Sequence, residues 1–231
     1  MNSTMEKTQT LYDRVVQHVF TPDLLPGTRL VERQLADELG VSRVPLRECL
    51  ARLVAQGALV GGDGRQGVRV RDYSATEIRQ LYELREMIEG GAARGAAKAA
   101  TDDELNELGA ICKLAEKEIG NYGSARWADL DQRFHNGVAA ASHNGRYANA
   151  LCSMLAECYY VFYLYLPQRA RVRPTAAEAT KLMRRVAKDH RALLDRVCAR
   201  DADGAEKVAR EHMRISADLA AKAMIESGLG Q

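Results

Sequence analysis

The sequence predicts a mainly α-helical protein, an N-terminal winged helix-turn-helix followed by an all-α helical bundle. Three observations carry this expectation. Apolar residues recur at helical spacing through most of the chain. Two of the early helical segments are separated only by the three-residue turn Gly40-Val41-Ser42. The one alternating, strand-like pattern lies between Leu59 and Val70, around a glycine-rich turn, and no strand pattern appears after Ser74.

Taken in order, Leu11, Val15, Val16 and Val19 form the first helical stripe, which Pro22 and Pro26-Gly27 end in a turn. A second helix over residues 31–39 presents Leu35, Ala36 and Leu39 on one face. Gly40 suits the left-handed position that closes a helix, and Ser42 suits the N-cap of the next. The third helix, residues 43–56, buries Leu46, Leu50, Leu53 and Val54, and Pro45 is tolerated because it falls in the first turn. The hairpin follows, with Arg65, Gln66 and Gly67 at its tip. Beyond it, helices are expected at about 75–99, 102–120, 124–142, 146–166, 176–200 and 203–227. The domain division is therefore 1–73 and 74–231, joined by a short linker.

Composition bounds the possibilities. A chain of 231 residues with 46% hydrophobic and 28% charged residues is a globular protein. The longest strongly apolar run, residues 159–166, is far shorter than the roughly 20 residues that span a bilayer. Residues 1–10 lack the apolar segment of a signal peptide. These features point to a cytoplasmic protein without membrane contact. The five cysteines show no Cys-x-x-Cys spacing, which argues against disulfides and thiolate zinc sites and leaves most of them as core residues. The net charge is only +2, but between residues 43 and 71 six arginines stand against Glu48 and Asp63. Such a local basic surface is the electrostatic footprint of phosphate binding.

A helix that reads the major groove needs arginines near its N-terminal end. Arg43 and Arg47 are four apart and share the face opposite Leu46, Leu50 and Leu53. Arg33 and Ser42 are placed for backbone phosphates, and Arg65, Gln66 and Gly67 for a phosphate or the minor groove. An ordinary solvated arginine face is the bland alternative; the ordered set of cap, proline, arginines and wing argues against it.

In the second half, His135, His190 and His212 stand on the apolar faces of three helices, and Asp131 lies one turn before His135. Four polar groups facing a core are costly unless paired or bound to a metal. An N/O set of this kind suits Zn²⁺, Ni²⁺ or Mn²⁺. Hydrogen-bonded core histidines, with Asp131 orienting His135, are the alternative.

The strings Gln34-Leu35-Ala36-Asp37-Glu38-Leu39-Gly40-Val41-Ser42-Arg43-Val44-Pro45-Leu46-Arg47-Glu48 and Leu53-Val54-Ala55-Gln56-Gly57-Ala58-Leu59-Val60 resemble the GntR family of bacterial regulators. Asp131-Gln132-Arg133-Phe134-His135, Asp189-His190 and His212 resemble the FCD ligand-binding domain of its FadR-type branch. The resemblance implies DNA contacts at Arg33, Arg43, Arg47 and residues 65–67. It places Asp131, His135, His190 and His212 around a divalent metal. It further implies that Arg85 meets the carboxylate of an effector, where a plain ion pair with Glu89 is the alternative. Tyr159, Tyr160 and Tyr163 read as packing, with pocket lining as the other possibility.

The function expected on this basis is a homodimeric, DNA-binding repressor on a palindromic double-stranded operator, modulated by a small carboxylate effector at the metal. Two alternatives stand beside it. One is a metal-dependent hydrolase with a DNA-binding head, which lacks the glutamate of a His-Glu-x-x-His motif. In the other the metal is only structural, or is itself the signal.

Overall fold

The computed structural model describes residues 11–19, 24, 27–61, 67–122, 124–161 and 175–226. It divides into two compact units, residues 1–72 and 73–231. Each is built by its own hydrophobic periodicity.

The first unit contains α1 (Leu11–Val19), β1 (Arg29–Leu30), α2 (Glu32–Leu39), α3 (Arg43–Ala55), β2 (Leu59–Gly61) and β3 (Val68–Val70). Val15, Val19, Leu35, Leu39, Leu46, Leu50 and Leu53 meet in its core. Burying each leucine contributes on the order of 1.5–3 kcal/mol. Gly40 takes φ 64° and ψ 37°, and the Val41 amide returns to the Ala36 carbonyl at 3.0 Å. That closure turns the chain sharply from α2 into α3. Ser42 occupies the N-cap position of α3, yet its side chain makes no capping hydrogen bond. The sheet has order β1-β3-β2, all antiparallel, with Arg29 opposite Arg69 and Val60 opposite Arg69 on the other side. β1 was not legible in the sequence: two residues are too few to show alternation.

The second unit is entirely helical among the described residues: α4 (Ala75–Ala99), α5 (Asp102–Lys117), α6 (Ala125–Ala141), α7 (Gly145–Tyr159), α8 (Ala176–Cys198) and α9 (Ala202–Glu226). Three of these helices open with reciprocal capping boxes, Ser74 with Glu77, Thr101 with Glu104 and Thr175 with Glu178. Each pair satisfies backbone amides that otherwise lack a partner and fixes where the helix begins. α4 and α9 form the most extensive helix pair, and α6 packs on α4, α5 and α7. The central core joins Ala93, Ala96 and Ala97 of α4 to Leu130, Phe134 and Val138 of α6 and to Met183, Leu193 and Val197 of α8.

Two expectations need correction. Only Cys112 and Cys158 are buried; Cys152 and Cys198 are exposed, because they fall on outward faces of α7 and α8. Helical spacing sets Leu219 with Val208 and Ile215 around His212 on the apolar face of the last helix, yet it is 37% exposed, and Ala205, Ala209, Met213 and Ala220 form the buried face.

The small residues of α4 let neighbouring helices approach closely. A Cβ on Gly95 would stand 2.9 Å from the Cβ of Ser142 and 3.5 Å from its Cα. On Gly109, in α5, the nearest neighbour would be Leu194 Cδ2 at 3.9 Å. Gly95→Leu is therefore expected to lower urea stability by about 1–3 kcal/mol through overpacking. Gly109→Ala is expected to raise it by up to about 1 kcal/mol through helix propensity. Equal effects of the two substitutions would contradict this packing.

Candidate functional site

In the first unit, Arg43 and Arg47 lie on the exposed face of α3, each with 57% of its side chain accessible. Both reach Glu32 at the start of α2: Arg47 Nε donates to Glu32 Oε2 at 2.6 Å, and an Arg43 Nη stands 3.7 Å from the same oxygen. Arg33 and Ser42 are exposed. Gly67 has φ 69°, in the left-handed region, immediately before β3. Arg65 and Gln66 lie outside the described residues. Glu32 was missed by sequence reading; its one signal is that it precedes Arg33. Arg52, counted among the basic residues, lies 4.1 Å over the ring of Tyr12, a cation–π contact that ties α3 to α1.

In the second unit the histidines of three helices converge. His135 of α6, His190 of α8 and His212 of α9 are 3%, 4% and 6% exposed. Each offers a ring nitrogen within 4.8 Å of the others, so the three could hold a metal ion. Asp131 is not part of that trio, but its Oδ1 stands 3.9 Å from His135 Nε2 and 3.7 Å from His190 Nε2. The rings pack tightly: Phe134 stacks on His190 with centroids 4.1 Å apart.

Outer partners orient two of these imidazoles. His135 Nδ1 lies 2.6 Å from Glu89 Oε2 of α4. Burial disfavours the Glu89 carboxylate, but Arg85 and His135 beside it prevail and bring its pKa down to about 2. An ionised carboxylate only accepts hydrogen bonds, so His135 Nδ1 must carry the proton. In the neutral ring this leaves Nε2 with its lone pair toward Asp131. Asp189 Oδ2 stands 3.2 Å from His212 Nδ1 and orients that ring in the same way.

His190 is the exception. Its Nε2 is buried and has no hydrogen-bond partner among the described residues. Burial, and then the nearby His135, His212 and Arg85, push the pKa of this imidazole well below its usual value, so it stays neutral. A buried nitrogen with a free lone pair, facing two other imidazoles and a carboxylate, is the donor set a borderline divalent cation takes. The residues fit such an ion.

Arg85 is buried and donates through Nε and an Nη to Glu89 Oε1, at 2.8 and 2.5 Å. The ion pair is thus present, and the same arginine also lines a cavity with Tyr82, Asp131, His135, Cys158 and His212. Tyr159 lines this cavity, while Tyr160 packs on Tyr73 with centroids 5.8 Å apart. Tyr163 lies outside the described residues. Glu89 and Asp189 were not assigned to the site from the sequence as partners of the histidines. Their signals were present: Glu89 is one turn beyond Arg85, and Asp189 adjoins His190.

The unpaired nitrogen has a measurable consequence. In chelator-treated protein, His190→Leu is expected to raise the melting midpoint by roughly 2–4 °C, since removing a desolvated unsatisfied group recovers about 1 kcal/mol. A drop in midpoint would mean that His190 is satisfied without an ion.

Comparison with known proteins completes the description. Residues 7–70 match the family "Bacterial regulatory proteins, gntR family", and residues 80–215 match the FCD domain. The chain is 30% identical over 228 residues to a putative L-lactate dehydrogenase operon regulatory protein of Escherichia coli, covering 87% of this chain and 81% of that one. It is 26% identical to the galactonate operon transcriptional repressor of the same organism, over 89% and 93% of the two chains. A 38% identical match to the Nta operon transcriptional regulator of Aminobacter aminovorans covers 52% of this chain and only 56% of that protein. Among solved structures, E. coli McbR/YncC aligns over 92% of this chain and 98% of its own, with TM-score 0.69 and 21% identity, a likeness of fold. The families and relatives are transcriptional regulators and not enzymes, which sets the hydrolase alternative aside. The chain belongs to the gntR family of bacterial regulatory proteins, as a transcriptional regulator that carries an FCD domain.

Proposed function

We propose that this regulator is a cytoplasmic operon repressor that binds a palindromic operator as a homodimer and responds to a small organic acid held at a divalent metal in its helical unit. The observation that carries this reading is the convergence of three buried imidazoles, one with an unpaired nitrogen, on a cavity that Arg85 also lines. Asp131, His135, His190 and His212 would hold the ion, Zn²⁺ first and Ni²⁺ or Mn²⁺ as alternatives. When bound, it would supply a Lewis-acid centre for an acid oxygen.

The chain's own residues do the rest. Glu89 and Asp189 hold His135 and His212 in the tautomer that presents Nε2. Arg85 offers a guanidinium to the acid's carboxylate, an arrangement that fits planar oxygen pairs. Because these groups sit on α4, α6, α8 and α9, an acid bound among them draws four helices toward one geometry. On DNA, Arg43 and Arg47 read base edges, Arg33 and Ser42 meet phosphates, and Arg65, Gln66 and Gly67 form the wing contact. Glu32 holds both reading arginines until base edges replace it. The likeness to a galactonate operon transcriptional repressor supports repression.

The test is operator binding by fluorescence anisotropy, on DNA selected from a random pool. It is run with protein as purified, after chelation, and after Zn²⁺ is restored, each with and without small carboxylates. The expected outcome is a site with dyad symmetry, two chains per site, and an acid-induced change of roughly 5- to 150-fold only in metal-loaded protein. Arg47→Ala is expected to cost about 1–3 kcal/mol and to relax preference at one base position per half-site. Metal-dependent DNA binding with no response to any acid would overturn acid sensing and make the metal a staple or the signal.

A further inference from the structure

Helix α3 turns Val44, Arg47, Glu48 and Ala51 outward, at the spacing of one helical stripe. Val44 is out of place among them. At 67% it is the most exposed large hydrophobic side chain among the described residues. It lies in the first turn of the helix, between Arg43 and Pro45 and one turn before Arg47. Leu46, Leu50 and Leu53 form the buried face of the same helix, so Val44 adds nothing to the core.

Local preference does not explain the valine either. A β-branched side chain loses rotamer freedom in a helix. The residue before a proline is steered away from helical backbone. Val44 is β-branched and precedes Pro45, yet it stands inside α3. Alanine or glutamate would suit an exposed first turn better. A side chain that serves neither core nor helix, on the face that carries a reading arginine, calls for a partner outside the chain.

The arginines around it define that partner's chemistry. Six of them between residues 43 and 71, against Glu48 and Asp63, make this a surface for the phosphates of a duplex. In the major groove guanine shows N7 and O6, adenine N7 and its N6 amino group, and cytosine its N4 amino group. Valine can neither donate nor accept, so against any of these it displaces water and returns no hydrogen bond. Among the four bases thymine alone presents an apolar group there, its C5 methyl. That methyl and the isopropyl group of Val44 can bury one another, beside the base pairs met by Arg43 and Arg47.

We infer that Val44 is a specificity-determining residue: it selects thymine, through the C5 methyl, at one base pair per bound chain. The inference rests on α3 as the DNA-reading helix and adds a position that hydrogen bonds leave unread.

The experiment is fluorescence anisotropy with the full-chain protein on operator DNA selected from a random pool. Each thymine is replaced singly by deoxyuridine, which removes the methyl and keeps both O4 and the base pairing. One thymine per bound chain is expected at which this replacement weakens wild-type binding about fourfold, the worth of one buried methyl group. For Val44→Ala the same replacement is expected to change binding little, and selection with this variant is expected to lose the preference at that base pair alone. The variant is expected to melt at the wild-type midpoint, because the position is exposed; a markedly lower midpoint would give Val44 a structural role and count against the inference. If no thymine is sensitive to loss of its methyl, or if Val44→Ala keeps the wild-type sensitivity, the inference is overturned and α3 remains the reading helix. If neither Val44→Ala nor Arg47→Ala alters the selected sequence, α3 is not the reading helix and both fall.

Discussion

An unpaired, buried imidazole nitrogen is the constraint around which the helical unit is organised. His190 Nε2 is buried from water and receives no hydrogen bond from the described residues. Left alone, such a group costs the fold about 1–3 kcal/mol. The surrounding chain does nothing to relieve it. Phe134 stacks on the ring, and His135 and His212 present their own edges to it. Meanwhile Glu89 and Asp189 occupy the far nitrogens of those two rings and keep the near ones free. A core built only for stability would place apolar residues of similar volume at these positions. The tolerated cost is the physical argument that the site exists to bind something.

The same geometry joins the ionic and helical parts of the unit. Arg85, Glu89 and His135 form one line of contacts from α4 to α6, and Asp189 with His212 joins α8 to α9. Any ligand that engages Arg85 or the imidazoles pulls on both lines. α4 begins at the boundary between the two compact units, immediately after its capping residue Ser74.

How much was legible beforehand depends on the range of the interactions involved. Helices with a stripe of large apolar residues were readable nearly to their ends. The turn at Gly40 was readable because a left-handed φ favours glycine. β1 was not, since its two residues are defined only by pairing with β3. The capping boxes at Ser74, Thr101 and Thr175 were present as plain Ser/Thr-x-x-Glu strings, and they fix the three helix starts at Ala75, Asp102 and Ala176, where the sequence reading had placed them. At the site, the inward faces of His135, His190 and His212 followed from helical spacing. Their convergence did not, because it needs the packing of α6, α8 and α9 around Phe134. Glu89 is the instructive omission. Local spacing pairs it with Arg85 at i, i+4, and only the tertiary approach of α4 to α6 gives its second oxygen to His135.

The account stands or falls on the ion. The most direct measurement is metal content per chain after reconstitution with Zn²⁺ and exhaustive dialysis, on wild-type protein and on His190→Leu side by side. The account expects one divalent ion per wild-type chain and a large loss in the variant. Wild-type protein that retains no ion, or a variant that retains as much, would contradict it.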